Sequence, residues 1–121
     1  MRNIDRCFFG LAVVAALVGM VLGIAMAARQ DFSLAPLHAH INLVGWASLA
    51  LFGLGYRAGF AKNDGWAVAH FWVALAGVIV FPIGIYFALT ERIEVGAIVG
   101  SLLVVLSMAM FGINFLRARQ A

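Results

Sequence analysis

Residues 36–57 read PLHAHINLVGWASLALFGLGYR, and this stretch is long and apolar enough to predict a helix that crosses a membrane. Such a helix needs about 20 mostly apolar residues to cross about 30 Å of hydrocarbon. His38 and His40 lie near the start of this one. Because ionisable groups within a span are costly unless they have partners, the two histidines are the first functional candidates.

The composition of the whole chain indicates an integral membrane protein in a lipid bilayer. Hydrophobic residues make up 65% of the 121 residues and charged residues 11%, which is far from the composition of a soluble domain. Four apolar stretches cover roughly residues 7–28, 37–56, 67–89 and 95–116, and the connections between them are too short to fold alone. We therefore predict an all-α membrane protein: one domain, 1–121, that forms a four-transmembrane-helix bundle.

The first span has an alternative interpretation as a signal peptide. Arg2 and Arg6 precede an apolar run that ends in Ala25-Met26-Ala27, which resembles a cleavage site. The run is longer than the apolar region of a typical signal peptide, and three more spans follow it. An uncleaved helix is therefore favoured.

The charges that flank the spans predict their orientation. One side of the membrane receives both termini and the second loop, with Arg2, Arg6, Arg57, Lys62, Arg117 and Arg119, whereas the other side receives only Arg29 and Arg92. By the positive-inside rule both termini are cytoplasmic, and the histidine pair lies toward the outer face of what we expect to be a bacterial inner membrane. The net charge of +3 is thus a topology signal, and no nucleic acid partner is expected.

The spacing of the two histidines sends them in different directions. We expect 37–56 to run as one unbroken helix, in which residues two apart are separated by about 200° around the axis. His38 then shares a side with Asn42 and Gly45, and the two imidazoles cannot converge on one metal ion. The alternative is that both simply meet water at the headgroup level. Neutral imidazole is nevertheless a common ligand for haem iron and for other metals.

A longer pattern around the pair resembles a known family. HAH at 38–40, LVGW at 43–46, FG at 52–53 and Tyr56 resemble the tenth transmembrane helix of the haem-copper oxidase catalytic subunit, especially in cbb-type oxidases and the related nitric oxide reductases. HFW at 70–72, followed by Ala74, Gly77, Val78 and Ile79, is similar to the start of that family's eleventh helix. For His70 the resemblance is one of position only.

The resemblance implies that His38 and His40 are axial ligands of haem, most simply haem b, on opposite sides of the helix. The family's catalytic subunit has many more spans, and the further histidines that hold its copper have no counterpart here. Copper is therefore not supported, and oxygen reduction by one chain is not expected. Because the family's subunit has approximate threefold symmetry, a homotrimer that holds haem between protomers is the preferred assembly, and a homodimer is the alternative.

Five further residues are candidates to support such a haem. Asn42 lies one turn from His38, Trp46 lies in the same span, and Tyr86 lies at a similar depth in the third span. Arg29 and Arg92, both predicted at the outer face, are candidates to pair with haem propionates. Each also has a structural interpretation: core packing is the safer one for Trp46, and the arginines are otherwise ordinary flanking charges.

Three functions remain open from sequence. The first is a haem b protein for electron transfer or for redox and gas chemistry with O2 or NO, in the manner of a minimal haem-copper oxidase module with an unidentified redox partner. The second is an accessory or assembly subunit that binds a metal ion through the same histidines. The third is a cofactor-free structural subunit of a respiratory complex. Whether the chain is an oxidoreductase depends on which of these holds.

Overall fold

The computed structural model describes residues 3–119 and contains four long helices joined by short loops. These are α1 (Ile4–Arg29), α2 (Ala35–Arg57), α3 (Gly65–Thr90) and α4 (Val95–Arg119). Each is long and apolar enough to cross a membrane, so the prediction of an all-α bundle of four helices that could each span a membrane is confirmed. Arg2, which entered the orientation argument, lies outside the described residues.

The middle of α2 departs from the regular helix expected from sequence. Its backbone is α-helical over Ala35–His40, π-helical over Ile41–Ser48 and α-helical again over Leu49–Arg57. The Ser48 hydroxyl donates to the carbonyl of Leu43, five residues earlier, over 2.8 Å, as suits the wider turn. The helix is unbroken over 37–56, as expected, but its middle turns are wider than those of an α-helix. The two histidines lie in the regular α-helical part.

Glycines bring the helices together as two hairpins, α1 with α2 and α3 with α4. A Cβ added at Gly45 would lie 2.7 Å from the Cβ of Ala15 on α1. A Cβ at Gly84 on α3 would overlap the backbone of Gly96 and Ala97 on α4. Small residues permit this because two spans in lipid gain stability from close packing and not from leaving water.

Most of the buried apolar side chains lie toward one end of the bundle. We call it the termini end: there α1 and α3 begin and α2 and α4 end. The larger cluster of buried apolar residues lies between the middle of the bundle and this end, and comprises Ile4, Phe8, Ala12, Leu49, Ala50, Phe52, Tyr56, Ala61, Ala67 and Ala74. Toward the opposite end, the buried cluster formed by the described residues is smaller and comprises Leu37, Ile41 and Ile85. An open apolar groove of about 600 Å³, whose lining includes Leu17, Val21 and Tyr86, lies beside this smaller cluster.

Candidate functional site

His38 lies against α1 of its own chain. Its Nδ1 is 2.9 Å from the backbone oxygen of Gly19, and the side-chain amide of Asn42 donates to the His38 backbone oxygen over 2.8 Å. Two glycines on α1 make room for this pair: a Cβ at Gly19 would lie 2.7 Å from Asn42 Oδ1, and a Cβ at Gly23 would lie 3.0 Å from His38 Cε1. His38 is therefore half-buried, and it shares a side with Asn42 as its spacing predicts.

His40 points to the other flank of α2, toward α3. Its Nδ1 is 2.7 Å from the backbone oxygen of Pro36, one turn earlier. The ring meets Phe81 of α3 edge to face, with 5.2 Å between ring centroids. Within residues 3–119 the Nε2 atom of His40 makes no hydrogen bond. The two imidazoles thus diverge, as the roughly 200° separation requires.

The hydrogen bonds determine the tautomer of both rings. A carbonyl oxygen only accepts, so the Nδ1 that contacts Gly19 or Pro36 carries the proton and leaves the lone pair on Nε2. A metal-bound histidine almost always donates its other ring N–H to a carboxylate, a backbone carbonyl or a water molecule. In this tautomer, Nε2 is the ring nitrogen that could bind a metal. For His38, that atom also lies 3.4 Å from Asn42 Nδ2, a long contact that a ligand would have to displace.

The other predicted site residues are more dispersed. Trp46 packs edge to face against Phe9 of α1, with 6.1 Å between ring centroids, and 37% of its surface is exposed, so it packs on a neighbouring helix at the margin of the core. Tyr86 is exposed and lines the apolar groove. Arg29 ends α1 and Arg92 lies in the last loop with a positive φ of 55°, both exposed at the end opposite the termini. In the described part of the chain none of these four makes a hydrogen bond or ring contact with either imidazole.

One chain offers one imidazole on each side of α2. Residues 3–119 contain no cluster of three or more histidine, cysteine or acidic side chains that could hold a metal ion. A site with two imidazole ligands therefore requires a second molecule of this chain or of a partner.

A buried polar cluster that the sequence did not predict surrounds His70. The side chain of His70 is fully buried. The sequence had given this residue only a resemblance of position to the eleventh helix of the family. Its Nδ1 lies 2.9 Å from the Tyr56 hydroxyl of α2, and its Nε2 lies 3.0 Å from the Ser107 hydroxyl of α4. Aromatic rings from three helices pack around the imidazole at centroid distances of 4.8 to 5.9 Å: Phe8, Phe52, Tyr56 and Phe111.

Asn114 sets the direction of the hydrogen bonds in this cluster. Its Oδ1 accepts from the Lys62 backbone N–H (3.3 Å), and its Nδ2 donates to the Lys62 carbonyl (2.8 Å) and to the Tyr56 hydroxyl (3.3 Å). Because the Tyr56 oxygen accepts from Asn114, its proton is directed to Nδ1 of His70. The proton of neutral His70 is then on Nε2, donated to Ser107. His70 has the opposite tautomer to His38 and His40, and both of its ring nitrogens are occupied.

This cluster is a structural clasp between the hairpins. It joins α2, α3, α4 and the loop between α2 and α3 inside the apolar bundle, where an unpaired polar group would be costly. Sequence offered one hint, since Asn114 is an amide within a span that could bond across helices. The partners could not be chosen from sequence because they lie on different helices.

At the edge of the clasp, Asp64 forms the N-cap of α3. Its carboxylate accepts from the Trp66 backbone N–H over 3.0 Å and from the Arg117 guanidinium over 2.7 Å. Burial by itself would raise the pKa of the Asp64 carboxyl. The hydrogen bond and positive charge of Arg117, together with backbone N–H donors, outweigh it and hold that pKa below its usual value of 3.8.

This lowered pKa predicts a small acid-dependent loss of stability. A carboxyl whose pKa is lower in the folded state stabilises the fold above the unfolded value of 3.8, and this contribution disappears as the pH falls through the lowered pKa. We expect Asp64→Asn to abolish that component in thermal unfolding followed by circular dichroism between pH 7 and pH 2. Both side chains are 38% exposed, so solvent screening keeps the effect small. An unchanged acid profile in the variant would contradict the assignment.

Comparison with known proteins identified no relative of this chain. No family model, no curated protein and no solved structure matches this chain. The resemblance to haem-copper oxidase helices therefore stays a prediction from residues 38–79, and the functional argument depends on the geometry of the side chains.

Proposed function

We propose that this chain is a membrane haem protein that ligates haem b through Nε2 of His40 and, on the opposite side of α2, Nε2 of His38. The observation that carries the proposal is that Nδ1 of each ring contacts a backbone carbonyl, which places the lone pair of the neutral ring on Nε2. His70, whose nitrogens are both occupied, serves as the internal contrast.

His40 is better suited than His38 to the role of haem ligand. It lies half-exposed on the flank of α2, its Nε2 has no partner within residues 3–119, and Phe81 restricts its ring. His38 is packed on α1 and needs the Asn42 amide to move before Nε2 is open. A haem held by both imidazoles would supply one-electron transfer, and a haem held by one imidazole would also bind O2 or NO.

Self-association would complete the ligand set. Each imidazole stands alone on its side of α2, and the end of the bundle nearest the pair has the smaller buried cluster. A homotrimer, in which each α2 faces two neighbours, uses both divergent imidazoles, and a homodimer uses one. In this assembly the termini are cytoplasmic. Arg29 and Arg92 lie at the same end of the bundle as the histidine pair and would pair with the haem propionates.

The test is the optical spectrum of purified protein reconstituted with haem, oxidised and then reduced with dithionite. We expect sharp α and β bands in the reduced wild type. His40→Ala should lower haem affinity by more than about 10- to 100-fold, the loss that is typical when an outer-shell partner is removed. His38→Ala should remove the second imidazole ligand and with it the sharp bands. His70→Gln, checked for folding by circular dichroism, should keep the bands. A wild type that stays colourless, or unchanged bands in His40→Ala, would refute the proposal.

A cofactor-free structural subunit is the second candidate function. The observation in its favour is that Gly19 and Asn42 already provide the His38 ring with hydrogen-bond partners. This role predicts no haem uptake and no change in thermal stability when haem is added. An accessory role in binding a metal ion would be distinguished by uptake of Zn²⁺ or Cu²⁺ that depends on His40 in a protein that takes up no haem.

A further inference from the structure

We propose that a cleft between the first turns of α1 and the last turns of α2 binds the headgroup of an anionic phospholipid. The cleft has a volume of about 280 Å³ and is lined by Asp5, Arg6, Phe9, Gly53, Leu54 and Arg57. It lies at the termini end, away from His38 and His40, so the proposal does not depend on haem binding.

The charges of the cleft complement one phosphodiester. Arg57 reaches Asp5 over 3.4 Å, with 74% of the Arg57 side chain exposed. Arg6 is exposed and makes no ion pair or hydrogen bond within residues 3–119. Two guanidinium groups against one carboxylate leave an excess of one positive charge. A phosphodiester carries one negative charge, and one guanidinium group can bind two phosphate oxygens through two parallel hydrogen bonds.

The depth of the cleft matches the headgroup region. Arg6 lies in the first turn of α1 and Arg57 is the last residue of α2, where spanning helices leave the hydrocarbon. Phe9 and Leu54 lie about one turn deeper, with 37% and 52% of their surface exposed. These two side chains provide an apolar wall for the first part of an acyl chain.

Gly53 gives the cleft its floor. A Cβ at this position would lie 2.9 Å from the Asp5 carbonyl and 3.1 Å from the Phe9 backbone nitrogen. The two helices therefore come into backbone contact at this level, and Arg6 of α1 and Arg57 of α2 both line the cleft beside it.

This arrangement selects among headgroups. Phosphatidylglycerol has a phosphate and no cation, so its single negative charge is fully available to Arg6 and Arg57. Phosphatidylethanolamine carries an ammonium group close to its phosphate, and that group would be repelled by the excess positive charge of the cleft. We therefore expect phosphatidylglycerol to be preferred.

Native mass spectrometry of the delipidated protein, titrated with phosphatidylglycerol or phosphatidylethanolamine, tests the site. One phosphatidylglycerol per chain should bind in preference to phosphatidylethanolamine. Since each arginine near an anionic surface contributes about 1 kcal/mol, Arg6→Gln and Arg57→Gln should each weaken binding about fivefold. The matched control is Arg119→Gln, which removes the same charge from an exposed position on α4 and should bind as the wild type does.

Two results would overturn the proposal. Equal binding of the two lipids by the wild type would show that the cleft does not distinguish headgroups by their charge. An equal loss in Arg119→Gln would show that only the overall charge matters. Should Arg57→Gln fail to fold through loss of its Asp5 contact, Arg6→Gln decides alone, because Arg6 has no partner within the described residues.

Discussion

Gly84→Ala should open the α3–α4 hairpin and destabilise the protein by about 3 kcal/mol or more, at or beyond the upper end of the usual range for overpacked sites. The added Cβ would overlap the backbone of Gly96 and Ala97. Backbone atoms of a helix cannot move aside as a flexible side chain can, so the whole of α4 must shift. The shift would also pull Ser107 away from His70. Unfolding in a series of detergent mixtures containing SDS, followed by circular dichroism, measures the change.

Gly112→Ala on α4 is the matched control for this prediction. An added Cβ there meets nothing within 4 Å, and alanine favours a helix over glycine by roughly 0.5 to 1 kcal/mol. The same substitution should therefore be neutral or slightly stabilising. If the free energies of unfolding of Gly84→Ala and Gly112→Ala differed by less than about 0.5 kcal/mol, which is the usual effect of a surface substitution, α3 and α4 would not pack as closely as described.

Replacing Asn114 with leucine should destabilise the protein by about 2 to 3 kcal/mol, because it removes the centre of the clasp. Single hydrogen bonds between spans average about 0.6 kcal/mol and reach about 1.7 kcal/mol. The substitution removes bonds to the Lys62 backbone and to the Tyr56 hydroxyl, and leaves that buried hydroxyl without a donor. The same SDS titration measures the loss, and Asn63→Leu, in the exposed loop nearby, is the control.

The ring nitrogens of His70 provide a readout that stability alone does not. In the wild type, ¹⁵N NMR should show the proton on Nε2. Tyr56→Phe removes the donor to Nδ1 and should relax this tautomer preference, while a double-mutant cycle of Tyr56→Phe with Asn114→Leu should show coupling of about 0.5 kcal/mol or more. Additive losses and an unchanged tautomer would mean that Tyr56 does not link Asn114 to His70.

Part of the candidate site could be predicted because it depends on neighbours along one helix. The turn that brings Asn42 beside His38, and the offset that sends His40 to the other flank, both follow from 3.6 residues per turn. The π-helical segment of α2 could not be predicted in this way. An α-helical turn and a π-helical turn at Ile41–Ser48 are close in free energy, and packing against the other helices decides which of them forms.

The glycines show most clearly what could not be predicted from the sequence. Gly84 and Gly112 both lie in apolar spans and look alike in sequence, yet one meets the backbone of another helix and the other meets open space. The same holds for His70, which reads as a polar residue near the end of a span and is in fact fully buried between Tyr56 and Ser107. Rotation and depth of each helix distinguish these cases, and neither is encoded within a single span.

The sequence by itself determined the four spans and the divergence of His38 and His40, because hydropathy and helical period act over residues that are close along the chain. Only the tertiary structure decided which nitrogen of each histidine carries the proton, which glycines bring helices together, and that Asn114, Tyr56, His70 and Ser107 form one clasp. Those properties depend on groups from different helices, and their energies arise only when the helices pack.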